Sequence, residues 1–180
     1  MPVNRGFLVG AALAAVVCSA NAADQQFGDW SAGLNDPRTV SYAATVNDSG
    51  SLLGDYCNFS VGKCFWTIVM EPACTGSATY PVLGNTSSGA VQMQLQCDGK
   101  TDNGSYRYLI VDWKNLELLL KDSNLVSFAF PMQGGVFKVI RFSLTGRTDA
   151  VSLAENIAAS QTAPNQNRSA TKRNTSDTTL

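Results

Sequence analysis

Apolar residues recur at every second position through most of this chain. Val91, Met93, Leu95 and Cys97 alternate with Gln92, Gln94 and Gln96, which predicts a strand with one face in a core and the other in water. The same period runs through Val40, Tyr42, Ala44 and Val46, through Val126, Phe128 and Phe130, and through Ile140, Phe142 and Leu144. Residues 64–70 and 106–111 are continuous β-branched or aromatic runs and predict strands buried more deeply. Turn residues punctuate the pattern at 47–50, 84–89, 98–104 and Gln133-Gly134-Gly135. Two stretches change to a helical period. Asp112 caps a short helix in which Trp113, Leu116 and Leu120 share a face and Lys121 ends the last turn. The second helix runs over about 149–159, with Thr148 as cap and Ala150, Leu153, Ala154 and Ile157 as its apolar stripe. The fold class expected is mainly β: an antiparallel β-sandwich or partly closed barrel with two short peripheral helices.

The beginning and the end of the chain break this pattern. Asn4 and Arg5 lead into an apolar run from Phe7 to Val17, and Ala20-Asn21-Ala22 follows as a small-x-small step. That order is the one of a signal peptide, residues 1–22, cleaved between Ala22 and Ala23. The apolar run of roughly 11 residues is too short for a transmembrane anchor, which needs about 20. A lipid anchor at Cys18 is the alternative, disfavoured by Val17 where processing wants a small residue. Residues 161–180 are nearly all polar, with Leu180 their one large apolar residue, so they are expected to be a disordered tail beyond a domain of residues 23–160. The mature chain is expected in the periplasm or secreted, with no transmembrane segment.

Charge and composition remove several functions. The sequence holds 13 Lys+Arg and 14 Asp+Glu, a net charge of −1, so it offers no basic field for nucleic acid. It has no His, which takes away the commonest general base and metal ligand together. Of its 5 Cys, removal of Cys18 with the leader leaves Cys57, Cys64, Cys74 and Cys97, an even set in an oxidising compartment. Three pairings are open. Cys57 with Cys64 across a tight turn, and Cys74 with Cys97 between strand ends, is favoured over the others, and a four-thiolate zinc site is disfavoured because no Cys-x-x-Cys knuckle occurs.

Candidate chemistry is sparse. The segment from Asp98 to Gly104 resembles a calcium loop at first, but Lys100 occupies a ligand position and Leu109 stands where the closing carboxylate belongs, so it reads as a hairpin. A Ser-Lys pair has no supporting spacing, and the carboxylates are scattered, mostly beside turn residues, as on a solvated surface. No catalytic, cofactor-binding or metal-ligating residue is assigned.

Phe27-Gly28-Asp29-Trp30-Ser31 near the start of the domain and Phe142-Ser143-Leu144-Thr145-Gly146-Arg147 before the last helix together resemble the invasion-associated locus B family of exported bacterial proteins. The sequence departs from that family at Arg147, where the family prefers an aromatic residue, and at Cys57 and Cys64. The resemblance implies a β-rich periplasmic or envelope protein linked with host-cell entry and without an established catalytic site. The expectation is a non-enzymatic protein that binds an envelope or host-surface macromolecule, through the turns at 47–50 and 84–89. A periplasmic enzyme using carboxylates or a Ser-Lys pair, and a purely structural envelope component, are the alternatives.

Overall fold

The computed structural model describes residues 24–36 and 39–162. The cleavage site at Ala22 and Ala23, Cys18 and all of the polar tail beyond Thr162 lie outside the described residues. The strands are β1 (Gln25–Phe27), β2 (Trp30–Asp36), β3 (Val40–Val46), β4 (Leu52–Asn58), β5 (Lys63–Met70), β6 (Thr79–Thr86), β7 (Gly89–Lys100), β8 (Tyr106–Ile110), β9 (Leu125–Pro131) and β10 (Phe137–Ser143). Helix α1 (Trp113–Leu120) lies between β8 and β9, and α2 (Arg147–Thr162) follows β10. All ten strands join one antiparallel sheet in the order β1-β2-β3-β4-β5-β8-β7-β6-β9-β10. The fold is mainly β, as the alternation predicts, and the sheet is not closed into a barrel.

The two edges of the sheet nevertheless meet. Trp30 Nε1 donates to the Ser143 carbonyl at 2.8 Å, Asp29 N donates to the Thr145 carbonyl at 3.0 Å, and Ser143 Oγ donates to Asp29 Oδ2 at 2.5 Å. The two segments that carry the family resemblance are therefore one structural unit, with Trp30 fully buried between them. Glycines make the approach possible. A Cβ on Gly28 would sit 2.8 Å from the Thr145 carbonyl oxygen, and one on Gly146 would collide with the Phe27 carbonyl; both glycines have positive φ.

The curled sheet encloses a core in which Trp30 meets Trp66 edge-on at 6.1 Å, Tyr80 meets Tyr108 at 5.9 Å and Phe128 meets Phe142 at 6.2 Å. Helix α1 covers β6 and β7, while α2 lies across β2, β3 and β4.

Three local expectations change. On β3 the buried face is Ser41, Ala43 and Thr45; of the predicted set Ala44 is buried too, but Val40 and Tyr42 are only half-buried and Val46 is 62% exposed, so the predicted phase is reversed. The reason is helix packing: α2 presents Ala150 and Ala154 to this strand, and small side chains on both surfaces let them come close. Ser41 Oγ donates to the Ala154 carbonyl at 2.7 Å and Thr45 Oγ1 to the Asp29 carbonyl at 2.8 Å, so the buried hydroxyls are satisfied. On α1 the buried residues are Leu116, Leu119 and Leu120, while Trp113 is 48% exposed. Asp112 makes no side-chain cap and instead accepts a hydrogen bond from Gln94 N at 2.9 Å, tying the helix start to β7. Helix α2 begins at Arg147, so Thr148 lies inside it, and it extends into the segment expected as tail as far as Thr162.

Candidate functional site

The four cysteines of the domain are paired as Cys57–Cys64 and Cys74–Cys97. Cys57 and Cys64 face each other directly on β4 and β5, at the base of the hairpin loop that joins those strands. Cys97, on the inner face of β7, reaches back to Cys74 in the connection between β5 and β6. On chain-entropy grounds these closures contribute about 2.5 and 3.5 kcal/mol.

The turns expected to carry recognition are reshaped. Asn47 holds its turn closed, accepting hydrogen bonds from Ser49 N at 3.1 Å and Ser51 N at 2.9 Å, and its Nδ2 donates to the Arg141 carbonyl of β10 at 3.1 Å. The turn is therefore docked on the opposite edge of the sheet. At 84–89 the predicted loop is mostly strand: Gly84, Asn85 and Thr86 belong to β6, and only Ser87 and Ser88 connect to β7. Gly84 is glycine because Leu119 of α1 and Met93 of β7 fill the space where a Cβ would point. The 98–104 segment is the end of β7 and a turn, in which Thr101 N donates to the Ser105 carbonyl at 2.8 Å. A bulge in β7 at Asp98 turns that carboxylate outward, onto Arg107 Nε at 2.6 Å.

The most prominent exposed feature is instead apolar. Along β9 and β10, alternation sends Val126, Phe128, Phe130, Ile140 and Phe142 inward, and the outward residues include the apolar Leu125, Ala129, Pro131, Phe137 and Val139, with Ser127, Arg141 and Ser143 among them, rather than the glutamines found on β7. Phe137 is 64% and Val136 60% exposed, with Leu83 of β6 and Met132 beside them on the surface. At the end of this hairpin a cleft of about 640 Å³ runs between Met70, Tyr80, Tyr108, Phe130, Met132 and Phe137, with Lys138 at its rim. Tyr108 donates to the Pro72 carbonyl at 2.8 Å, and burial followed by its tyrosine neighbours pushes its phenol up to about 12. The sequence signal for this surface is the nearly unbroken apolar run Val136-Phe137-Lys138-Val139-Ile140, which alternation counted from Ile140 onward passes over.

One carboxylate contradicts the solvated-surface reading. Asp55 on β4 is only 2% exposed, and its Oδ1 has no hydrogen-bond partner among the described residues. Burial above all, then the negative charges of Glu155 on α2 and Glu117 on α1, push its carboxyl up to about 7, against the pull of a hydrogen bond to the Tyr56 backbone. Glu155 is raised as well, by burial and then by Glu117. Sequence reading missed Asp55 because Leu53-Gly54-Asp55 carries the small and acidic residues of a turn, whereas Gly54 is buried within the sheet. A separate cleft of about 530 Å³, lined by Lys114, Glu117, Leu118, Lys121 and Arg147, opens at the start of α2.

No protein-family model and no curated protein matches the chain. Among solved structures it is similar to invasion associated protein B from Bartonella henselae, with a TM-score of 0.52 and 16% sequence identity over 77% of this chain and 97% of that one. The resemblance read from the two ends of the domain is thus a resemblance of fold. At this identity the likeness shows the fold alone, that of a curled, mainly antiparallel β domain.

Proposed function

We propose that this is an exported protein of the periplasm or cell exterior that binds an envelope or host-surface macromolecule without turning it over. The observation that carries the reading is the apolar outer face of β6, β9 and β10 around Phe137. Protein surfaces rarely leave contiguous apolar area unprotected unless something covers it. The fold likeness to an invasion-associated protein supports the reading, as do two disulfides, which suit an oxidising compartment. Among the described residues no helix is long and apolar enough to cross a membrane.

Crosslinking on intact cells tests it. The protein is expected to capture an envelope or host-surface macromolecule, and Phe137→Ser with Val139→Ser is expected to weaken capture at least tenfold, because buried aromatic anchors dominate such interfaces. Undiminished capture by that variant would sink the assignment of this face. The rival, a carboxylate enzyme, draws on Asp55 and Glu155, but Asp55 is sealed and lines neither cleft described above. Hydrolysis of a peptidoglycan, glycan or ester substrate, abolished by one carboxylate replacement in a folded protein, would establish the rival instead.

A further inference from the structure

We propose that Cys57–Cys64 is a thiol–disulfide exchange centre in which exposed Cys64 is the sulfur attacked and buried Asp55 is the general acid for Cys57. This inference rests on residues other than the apolar face and goes beyond the binding reading. The two sulfurs of the bond are unequal. Cys57 is 1% exposed, whereas Cys64 is exposed at the strand end, beside the hairpin loop and next to Lys63. Only one of them can meet an incoming thiolate, so the other must be the leaving group.

That leaving group has an acid in place. Asp55 Oδ2 lies 3.8 Å from Cys57 Sγ, two residues along β4 on the same face, and its Oδ1 has no partner among the described residues. Among the described residues, this is the one place where a carboxylate and two cysteines gather within 4.8 Å of one another. Cys74–Cys97 has no such companion, which separates a structural bond from a reactive one. The elements packed around Asp55 keep the acid protonated. Strands β3 and β5 set the uncharged Ala43 and Trp66 across from it, while α2 and α1 bring Glu155 and Glu117. Glu117 also acts on Arg147 of α2, and no cation among the described residues contributes to the shift at Asp55. With burial, these groups hold the carboxyl near 7, so proton donation is available at neutral and mildly acid pH.

The step balances with a dithiol as reductant. One thiolate of the dithiol attacks Cys64 Sγ and forms a mixed disulfide; the Cys57–Cys64 bond breaks, and its electron pair goes to Cys57 Sγ. The Asp55 carboxyl gives its proton to that sulfur and becomes a carboxylate. The second thiolate of the dithiol then attacks the dithiol's own sulfur in the mixed disulfide, releasing Cys64 as a thiolate. The dithiol leaves as a disulfide, two electrons having passed to the protein, and Asp55 regains a proton from solvent.

The test is reduction of the oxidised mature protein by dithiothreitol between about pH 5.5 and 8.5, with rates divided by the thiolate concentration and each disulfide followed by alkylation and peptide mass. Cys57–Cys64 is expected to open roughly tenfold or more faster than Cys74–Cys97, and its corrected rate to fall as pH rises through about 7, where the acid is spent. Asp55→Asn should slow opening at pH 6 by roughly tenfold or more and flatten the profile, and Asp55→Glu should restore part of both. Glu155→Gln, which removes one of the raising charges, should move the inflection to lower pH and provides the same readout if Asp55→Asn fails to fold. Opening of Cys74–Cys97 first, an unchanged pH profile in these variants, or opening of Cys57–Cys64 only once the protein unfolds would each overturn the proposal.

Discussion

At the scale of single residues, burial changes what a side chain means. Asp55 has the composition of a surface turn around it in sequence, yet the structure closes β3, β5 and α2 over it. Its carboxyl is raised from an ordinary value of 3.8 to about 7, so the folded state holds the proton over a window in which the unfolded chain has lost it. The contribution is fully present below about pH 4 and is lost as pH rises through 7, costing roughly 4 kcal/mol at the upper end for a sealed group. Asp55→Asn keeps the shape and cannot ionise. Denaturant midpoints of the wild type are expected to fall between pH 5 and pH 8, and those of the variant to fall much less and exceed the wild type at pH 8. A wild-type midpoint independent of pH over that range would show that Asp55 is not held neutral.

At the scale of elements, period alone finds a strand but not always its buried face. For β7 the face is unambiguous because apolar residues alternate with glutamines. For β3 each face carries hydroxyl or small residues, and the choice falls to the partner: α2 offers alanines, which fit against Ser41 and Ala43 and not against Tyr42. Tyr42 then lies on the other side, stacked with Tyr56 at 6.2 Å. Such information sits in a helix more than 100 residues away along the chain, as the 113-residue separation of the Ser41–Ala154 hydrogen bond shows. Strands β1, β2, β4 and β6 were not read as separate elements for a related reason: each is short, or interrupted by glycine or proline whose role is packing or bulging rather than turning. Close helix packing makes a sharp forecast. Ala154→Leu places three extra carbons against β3, and overpacking of this kind costs about 1–3 kcal/mol. Its denaturant midpoint should drop accordingly, while Val46→Ala, on the exposed side of the same strand, should change stability by no more than about 0.5 kcal/mol. Equal losses from the two would mean that α2 does not bear on β3 as closely as its buried alanines imply.

At the scale of the whole molecule, the antiparallel class and the peripheral helices were legible from alternation and turns, and the strand order was not. Order depends on which strands close the long connection through α1, and that is decided when β9 pairs with β6 rather than with β8. The apolar face around Phe137 was equally hidden, because an outward apolar residue is indistinguishable from an inward one until the sheet is assembled. What brings the assembled sheet nearly full circle is the junction of Phe27-Gly28-Asp29-Trp30 with Leu144-Thr145-Gly146, where backbone meets backbone. Gly146 occupies a left-handed conformation, φ +88°, directly beneath the Phe27 carbonyl. Gly146→Ala therefore meets two penalties at once, an unfavourable backbone region costing about 1–3 kcal/mol and a clash that only displacement of β1 relieves. The Asp29–Thr145 and Trp30–Ser143 hydrogen bonds would loosen with it, since both depend on the same approach. The expected result is a lower denaturant midpoint together with faster amide exchange at Asp29 and a red shift of tryptophan emission as Trp30 becomes wetted. Gly50→Ala is the comparison, because Gly50 also has positive φ but nothing within 4 Å of where a Cβ would stand, so it carries the backbone cost alone. If Gly146→Ala were no more destabilising than Gly50→Ala and left Trp30 emission unchanged, the two ends of the domain would not be closed against each other in solution.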